Sequence, residues 1–185
     1  SLEEYSVATG NAHYAVQGKI LYSADLKTLV AYPEALSPLA AIPAQVTAIA
    51  ARAFQRTESL TEVILPANLK ELGDYAFYHC ANLRKVVALM PEPVSADYTG
   101  ESPFGEINLK LATLVVPVGS ANNYKKAAMW SDFGTIMEGD TPVTEGVITL
   151  TTTIPVGGKI FFVALNVDNN ASKIEGVRIE GKDMI

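Results

Sequence analysis

The chain has 185 residues, 49% of them hydrophobic and only 18% charged, with a net charge of −6. An average globular protein carries roughly 25% charged residues, and disorder needs many charges and few apolar side chains, so this composition excludes an intrinsically disordered chain. No basic patch marks a nucleic-acid binder, and the longest apolar runs, residues 111–118 and 160–165, are far too short to span a bilayer.

In chain order, the first pattern is an alternation over residues 20–32 that predicts two strands turning around Ser23 to Asp25, a hairpin. A repeat follows. Residues 46–68 (VTAIAARAFQRTESLTEVILPAN) and 69–91 (LKELGDYAFYHCANLRKVVALMP) align at a shift of 23. Val46 falls on Leu69, Ile49 on Leu72, Ala53-Phe54 on Ala76-Phe77, Leu60 on Leu83 and Val63 on Val86. Ile42-Pro43 extends the frame upstream of Leu65-Pro66, and Leu111, Leu114, Val116 and Pro117 repeat the spacing of Leu60, Val63, Leu65 and Pro66. Each Ala-Phe segment is expected as a turn or short helix whose Phe plugs the interior. Each LxxVxL segment is expected as a strand with its leucine-class residues inward. One such unit cannot bury its own apolar face, so stacked neighbours must share a core.

Residues 91–103 hold three prolines and a glycine and predict a loop before Phe104 in a divergent repeat. Ser120 is placed to cap a helix through Asn122 to Met129, with Tyr124, Ala127, Ala128 and Trp130 leaning on the last repeat. Gly139 to Pro142 reads as a linker. Residues 147–153, 159–165 and 173–180 then read as three β-branched strands, with turns at 155–158 and 168–170.

The pattern I-x-x-x-A-F-x-x-C-x-x-L-x-x-V-x-(I/L)-P resembles the BspA-like, Treponema-type leucine-rich repeats of bacterial surface proteins. It is carried by Ile49, Ala53, Phe54, Leu60, Val63, Leu65 and Pro66, then by Leu72, Ala76, Phe77, Cys80, Leu83 and Val86, and it departs at Thr57 and Leu89. The flanks, at residues 18–33 and 116–133, resemble the family's opening hairpin and closing segment. The resemblance, over about residues 5–138, implies a short, right-handed α/β leucine-rich-repeat solenoid with repeats of about 23 residues, and the strand pattern after it adds a small all-β C-terminal segment. The expected division is residues 1–138 for the solenoid with its hairpin cap and helical cap, and 139–185 for the β segment.

Chemistry-bearing residues are few. The two histidines are His13 and His79, which leaves little from which to build a catalytic triad. His79 adjoins Cys80, the single cysteine; a thiolate beside an imidazole is a nucleophile pattern, but a small buried hydrophobe at a repeat position is the plainer reading. No CxxC or HExxH spacing exists, so no metal and no cofactor is expected. Asp168-Asn169-Asn170 and Gly157-Gly158-Lys159 read as turns, and Asn170-Ala171-Ser172 fits a glycosylation acceptor, a match common by chance.

The outward strand positions are the stronger candidates for function. Thr61, Glu62 and Ile64 are matched by Arg84, Lys85 and Val87 and then by Ala112, Thr113 and Val115. Ile64, Val87 and Val115 are expected to form an exposed apolar row flanked by Glu62, Arg84 and Lys85, a partner-binding strip. Two plainer readings stand beside it: β-branched residues favour strands anyway, and the C-terminal β segment would also cover such a row.

The expected protein is a non-enzymatic binder whose ligand is a host extracellular or other surface protein. The resemblance implies secretion or a bacterial cell-surface location and a role in adhesion; the leader such a protein needs is absent from the Ser1-Leu2 start. The alternative is a glycan-binding accessory module of a surface polysaccharide system, with Tyr98 and Phe104 as sugar-stacking candidates that read first as packing residues.

Overall fold

A computed structural model of the chain describes residues 2–95 and 102–139. Its strands, in chain order, are β1 (Tyr14–Gln17), β2 (Ile20–Ser23), β3 (Thr28–Ala31), β4 (Leu39–Ala41), β5 (Ala48–Ile49), β6 (Glu62–Leu65), β7 (Glu71–Leu72), β8 (Lys85–Ala88), β9 (Thr113–Val116) and β10 (Thr135–Glu138). One helix, α1 (Ala121–Lys126), and two 3₁₀ turns at Leu109–Leu111 and Trp130–Asp132 complete the described elements.

The strands form two five-stranded sheets, ordered β1-β2-β3-β5-β7 and β10-β9-β8-β6-β4. From β3 to β8 the chain crosses from one sheet to the other at every strand, so each pass adds one strand to both. The second sheet is parallel throughout. Glu62 lies opposite Lys85 and Leu65 opposite Ala88, an offset of 23 residues. The same offset sets Leu39 against Glu62 and Ala48 against Glu71. The expected hairpin is present as β2 and β3, paired antiparallel, and β1 adds a further antiparallel strand outside it. Asp25 shapes the turn: its carboxylate accepts from Ser23 Oγ–H at 2.6 Å and from the Lys27 N–H at 3.1 Å.

Aromatic rings stack between the sheets along the repeat axis. Tyr32, Phe54, Phe77 and Phe104 follow one another with centroid separations of 4.7, 4.7 and 5.2 Å. Trp130 and Phe133 then meet Phe104 edge-on at 5.8 and 5.5 Å and end the column. Val63, Leu65, Val86, Ala88, Leu114 and Val116 fill the core from the second sheet, as alternation along a strand requires.

Backbone and polar side chains tie one pass to the next. The Phe54 N–H donates to Ala76 O at 2.7 Å, and the Phe77 N–H to Pro103 O at 2.8 Å. Thr61 Oγ1–H donates to Pro38 O at 3.0 Å, and Asn82 Nδ2–H donates to Glu58 O at 2.9 Å. Gly73 is required where two passes approach closely, because a Cβ there would run into the Ala51 backbone.

Several expectations change. Leu111 was expected to point inward but is 65% exposed, because residues 109–111 tighten into a 3₁₀ turn; Leu109 and Ala112 supply the core contacts instead. The predicted helix stops at Lys126, well short of Met129, and Ala128 is exposed. Ser120 makes no side-chain cap. Its role passes to Glu138 on β10, whose Oε1 accepts from the Ala121 N–H at 3.0 Å. The expected strands at 147–153, 159–165 and 173–180, the turns between them, the linker beyond Gly139 and the middle of the 91–103 loop lie outside the described residues.

The closing segment grips the start of that loop. Tyr124 Oη–H donates to Met90 O at 2.8 Å, Trp130 Nε1–H to Val94 O at 3.0 Å, and Asn123 Nδ2–H to Glu92 at 2.9 Å.

Candidate functional site

Parallel register fixes which side chains share the outer face of the second sheet. Leu39, Glu62, Lys85, Thr113 and Thr135 form one row across β4, β6, β8, β9 and β10. Two residues along each strand, Ala41, Ile64, Val87, Val115 and Met137 form the next. The strip read from the sequence is therefore assembled side by side, at the roughly 4.8 Å strand spacing of a sheet.

Its exposure differs from expectation. Ile64 and Val87 are only 6% and 2% exposed, yet neither belongs to the interior cluster. Both sit on inner strands with an in-register neighbour on each side. Val115 is half-buried, with Gly139 close against its Cγ1. The row opens only at its ends, where Ala41 is exposed and Met137 is 50% exposed. Ala112, expected to face outward, is buried in the core.

The charged row is accessible. Lys85 Nζ pairs with Glu62 Oε1 at 3.1 Å across two strands, with both side chains open to solvent. Such an exposed pair contributes little to stability, about 0–1 kcal/mol, so its value to the fold is small. Arg84, at the mouth of β8, is exposed and folds its Nη1 back to donate to Ala81 O at 2.8 Å and Leu83 O at 3.0 Å.

The nucleophile pattern does not assemble. Cys80 is fully buried, and its Sγ–H donates to Phe54 O at 3.0 Å rather than to an imidazole. Burial pushes its thiol up to about 12, away from the thiolate form a nucleophile needs. His79 is exposed and rests near the Tyr78 ring, centroids 6.1 Å apart. Among the described residues no group of three or more His, Cys, Asp or Glu is placed to hold a metal, and no helix is long and apolar enough to cross a membrane. Phe104 lies in the aromatic column and offers no ring to a sugar. Tyr98, the 157–159 and 168–170 turns and the Asn170 acceptor lie outside the described residues.

Residues that sequence reasoning passed over are the exposed ends of the rows, Leu39, Ala41, Thr135 and Met137. The signal for β4 was present in the Ile42-Pro43 match to Leu65-Pro66. Nothing in the repeat frame pointed to β10.

Residues 38–125 match a family model described as the BspA type leucine rich repeat region, in six copies. Among solved structures, a leucine-rich repeat protein from Eubacterium ventriosum is similar at 15% identity and a TM-score of 0.39, covering 78% of this chain and 55% of that one. The pneumococcal vaccine antigen PcpA is similar at 15% identity and 0.32, covering 76% and 51%. A leucine-rich cell surface protein from Faecalibacterium prausnitzii is similar at 16% identity and 0.38, covering 70% and 40%. The chain thus spans about half the length, or less, of these structures. No curated protein matches it.

Proposed function

We propose that the chain, whose residues 38–125 match the BspA-type leucine-rich repeat model, is a non-enzymatic, secreted or cell-surface binding protein of bacterial type, whose ligand is another protein. The described passes are read as a short right-handed solenoid with coils of about 23 residues, an architecture built to present an extended surface. One observation carries the reading: parallel register aligns Glu62 with Lys85, and Ile64 with Val87 and Val115, across consecutive strands. The ligand would meet the accessible members, Glu62, Arg84 and Lys85, with half-buried Val115 beside them and Leu39 and Met137 at the margins. Ile64 and Val87 then serve as the packed floor of the strip. A host extracellular protein or a second surface protein fits this chemistry, and adhesion is the corresponding role.

Leucine-rich-repeat surface proteins are generally non-enzymatic, and the burial of Cys80 away from His79 accords with that.

The test is surface plasmon resonance of the full chain over a panel of immobilised extracellular-matrix proteins. Exchanging the pair, Glu62→Lys with Lys85→Glu, keeps an ion pair within the fold and reverses what a ligand meets. The reading expects at least one panel protein to bind, and binding to fall about tenfold or more in the exchanged variant. Unchanged binding in that variant excludes the strip as the site.

A further inference from the structure

A second surface lies away from the sheets, on the stacked turns that carry Ala53-Phe54, Ala76-Phe77 and Phe104. The backbone is left-handed at the same places in successive turns: Arg52 and Arg56 (φ 60° each), Tyr75 and His79 (58° each), and Glu106 (59°). Glycine or asparagine would take this conformation with least strain, and large side chains take it at a penalty. Here the positions hold two arginines, a tyrosine, a histidine and a glutamate. Lys19, Leu26 and Met129 also take a positive φ elsewhere, but only these turns repeat it at matching places with large polar or aromatic side chains.

They form a ridge in which Arg52, Tyr75, Tyr78 and His79 are linked side chain to side chain, while Arg56 and Glu106 hold the place of His79 in the neighbouring turns, the Arg56 N–H donating to Tyr78 O at 2.9 Å. The Arg52 guanidinium lies 5.3 Å from the Tyr75 ring centroid. Tyr75 meets Tyr78 edge-on at 5.0 Å, and Tyr78 neighbours His79. Gly105 makes room for the Tyr78 ring, since a Cβ there would lie 3.1 Å from its Cδ2. Arg52, Arg56, His79 and Glu106 are exposed, and both tyrosines are half-buried.

We infer that this ridge binds a glycan, with a pyranose packed on the Tyr78 ring and its hydroxyls held by Arg56, His79 and Glu106. The apolar C–H face of a pyranose suits the electron-rich face of an aromatic ring. A guanidinium donates, a carboxylate accepts and an imidazole does both, which is what sugar hydroxyls require. A protein partner is less suited, because an interface needs an apolar centre and the ridge's exposed side chains include no aliphatic one beyond Ala51. The inference is independent of the strip on the second sheet.

The full chain applied to a printed oligosaccharide array tests it. The wild type is expected to mark a subset of saccharides, with Tyr78→Ala and Arg56→Ala each weakening the signal about tenfold. Tyr78→Phe, which keeps the ring, is expected to retain it. His79→Gly separates the site from the fold: strain relief raises the melting midpoint while binding falls. A blank array overturns the inference, as do an unchanged signal in Tyr78→Ala, a lowered midpoint in His79→Gly, or ridge substitutions that weaken binding to a protein ligand instead.

Discussion

Thr57 and Cys80 hold the same place in successive turns, 23 positions apart in the sequence, and they satisfy the interior differently. The Cys80 thiol has a carbonyl partner, whereas Thr57 Oγ1 is buried with none. A buried orphan hydroxyl costs about 1–3 kcal/mol, so Thr57→Val should stabilise the chain by about 1 kcal/mol, read as a higher urea midpoint. Cys80 gives the complementary prediction. With its folded pKa raised above the unfolded value, its contribution is intact at neutral pH and is lost progressively as pH rises from the unfolded thiol pKa through about 12. The native chain should therefore resist thiol alkylation at pH 8 and react once unfolded; rapid native labelling would contradict its burial. Phe77 carries the aromatic column on both sides, at 4.7 and 5.2 Å from its neighbours. Phe77→Ala should lower stability by about 3–5 kcal/mol in the same urea assay. These roles were legible in the sequence because an Ala-Phe pair recurring at a fixed shift has no other economical explanation than an interior stack.

The elements were legible where periodicity is long enough to show. β2, β3, β6, β8 and β9 each hold four residues, and the hairpin pattern or the 23-residue repeat shows them. β5 and β7 hold two residues each, too few for alternation to register, and they exist because stacking brings them into parallel register. β10 forms because Gly134 lets the chain pass close to Lys110, where a Cβ would strike the carbonyl. The missed cap on α1 has the same origin: its acceptor, Glu138, lies 17 residues away and arrives only through the β9–β10 pairing. Hydrogen bonds from the Gly119 and Ala121 N–H groups hold the Glu138 carboxyl below its ordinary range. The stabilisation it gives is present above the unfolded carboxylate pKa and fades as pH falls through the lower folded value. Replacing Glu138 with Gln should flatten part of the acid limb of a stability–pH profile; an unaltered limb would show that the cap contributes nothing.

At the scale of the whole molecule, the repeat shift sets Glu62 beside Lys85 and Ile64 beside Val87 and Val115, as the strand register has them, but it misses the burial of Ala112, Ile64 and Val87. Alternation tells which face a residue takes, but not how much its in-register neighbours and the rest of the chain shield it. The distinction changes what substitution does. Ile64→Glu or Val87→Glu would bury an unpaired carboxylate and should lower the melting temperature sharply, by about 3 kcal/mol or more in stability. Exchanging Glu62 and Lys85 should leave it within about 1 kcal/mol. Binding lost in the first pair of variants is thus uninformative, and only the exchange probes the ligand. The most direct measurement is hydrogen–deuterium exchange of the full chain, alone and saturated with the protein ligand found by the matrix panel. Slower exchange over 61–65, 84–88 and 113–116, with the 75–79 turn unchanged, is the predicted footprint. Protection confined to the turns, or absent from all three strands, would contradict the assignment of the strip as the binding surface.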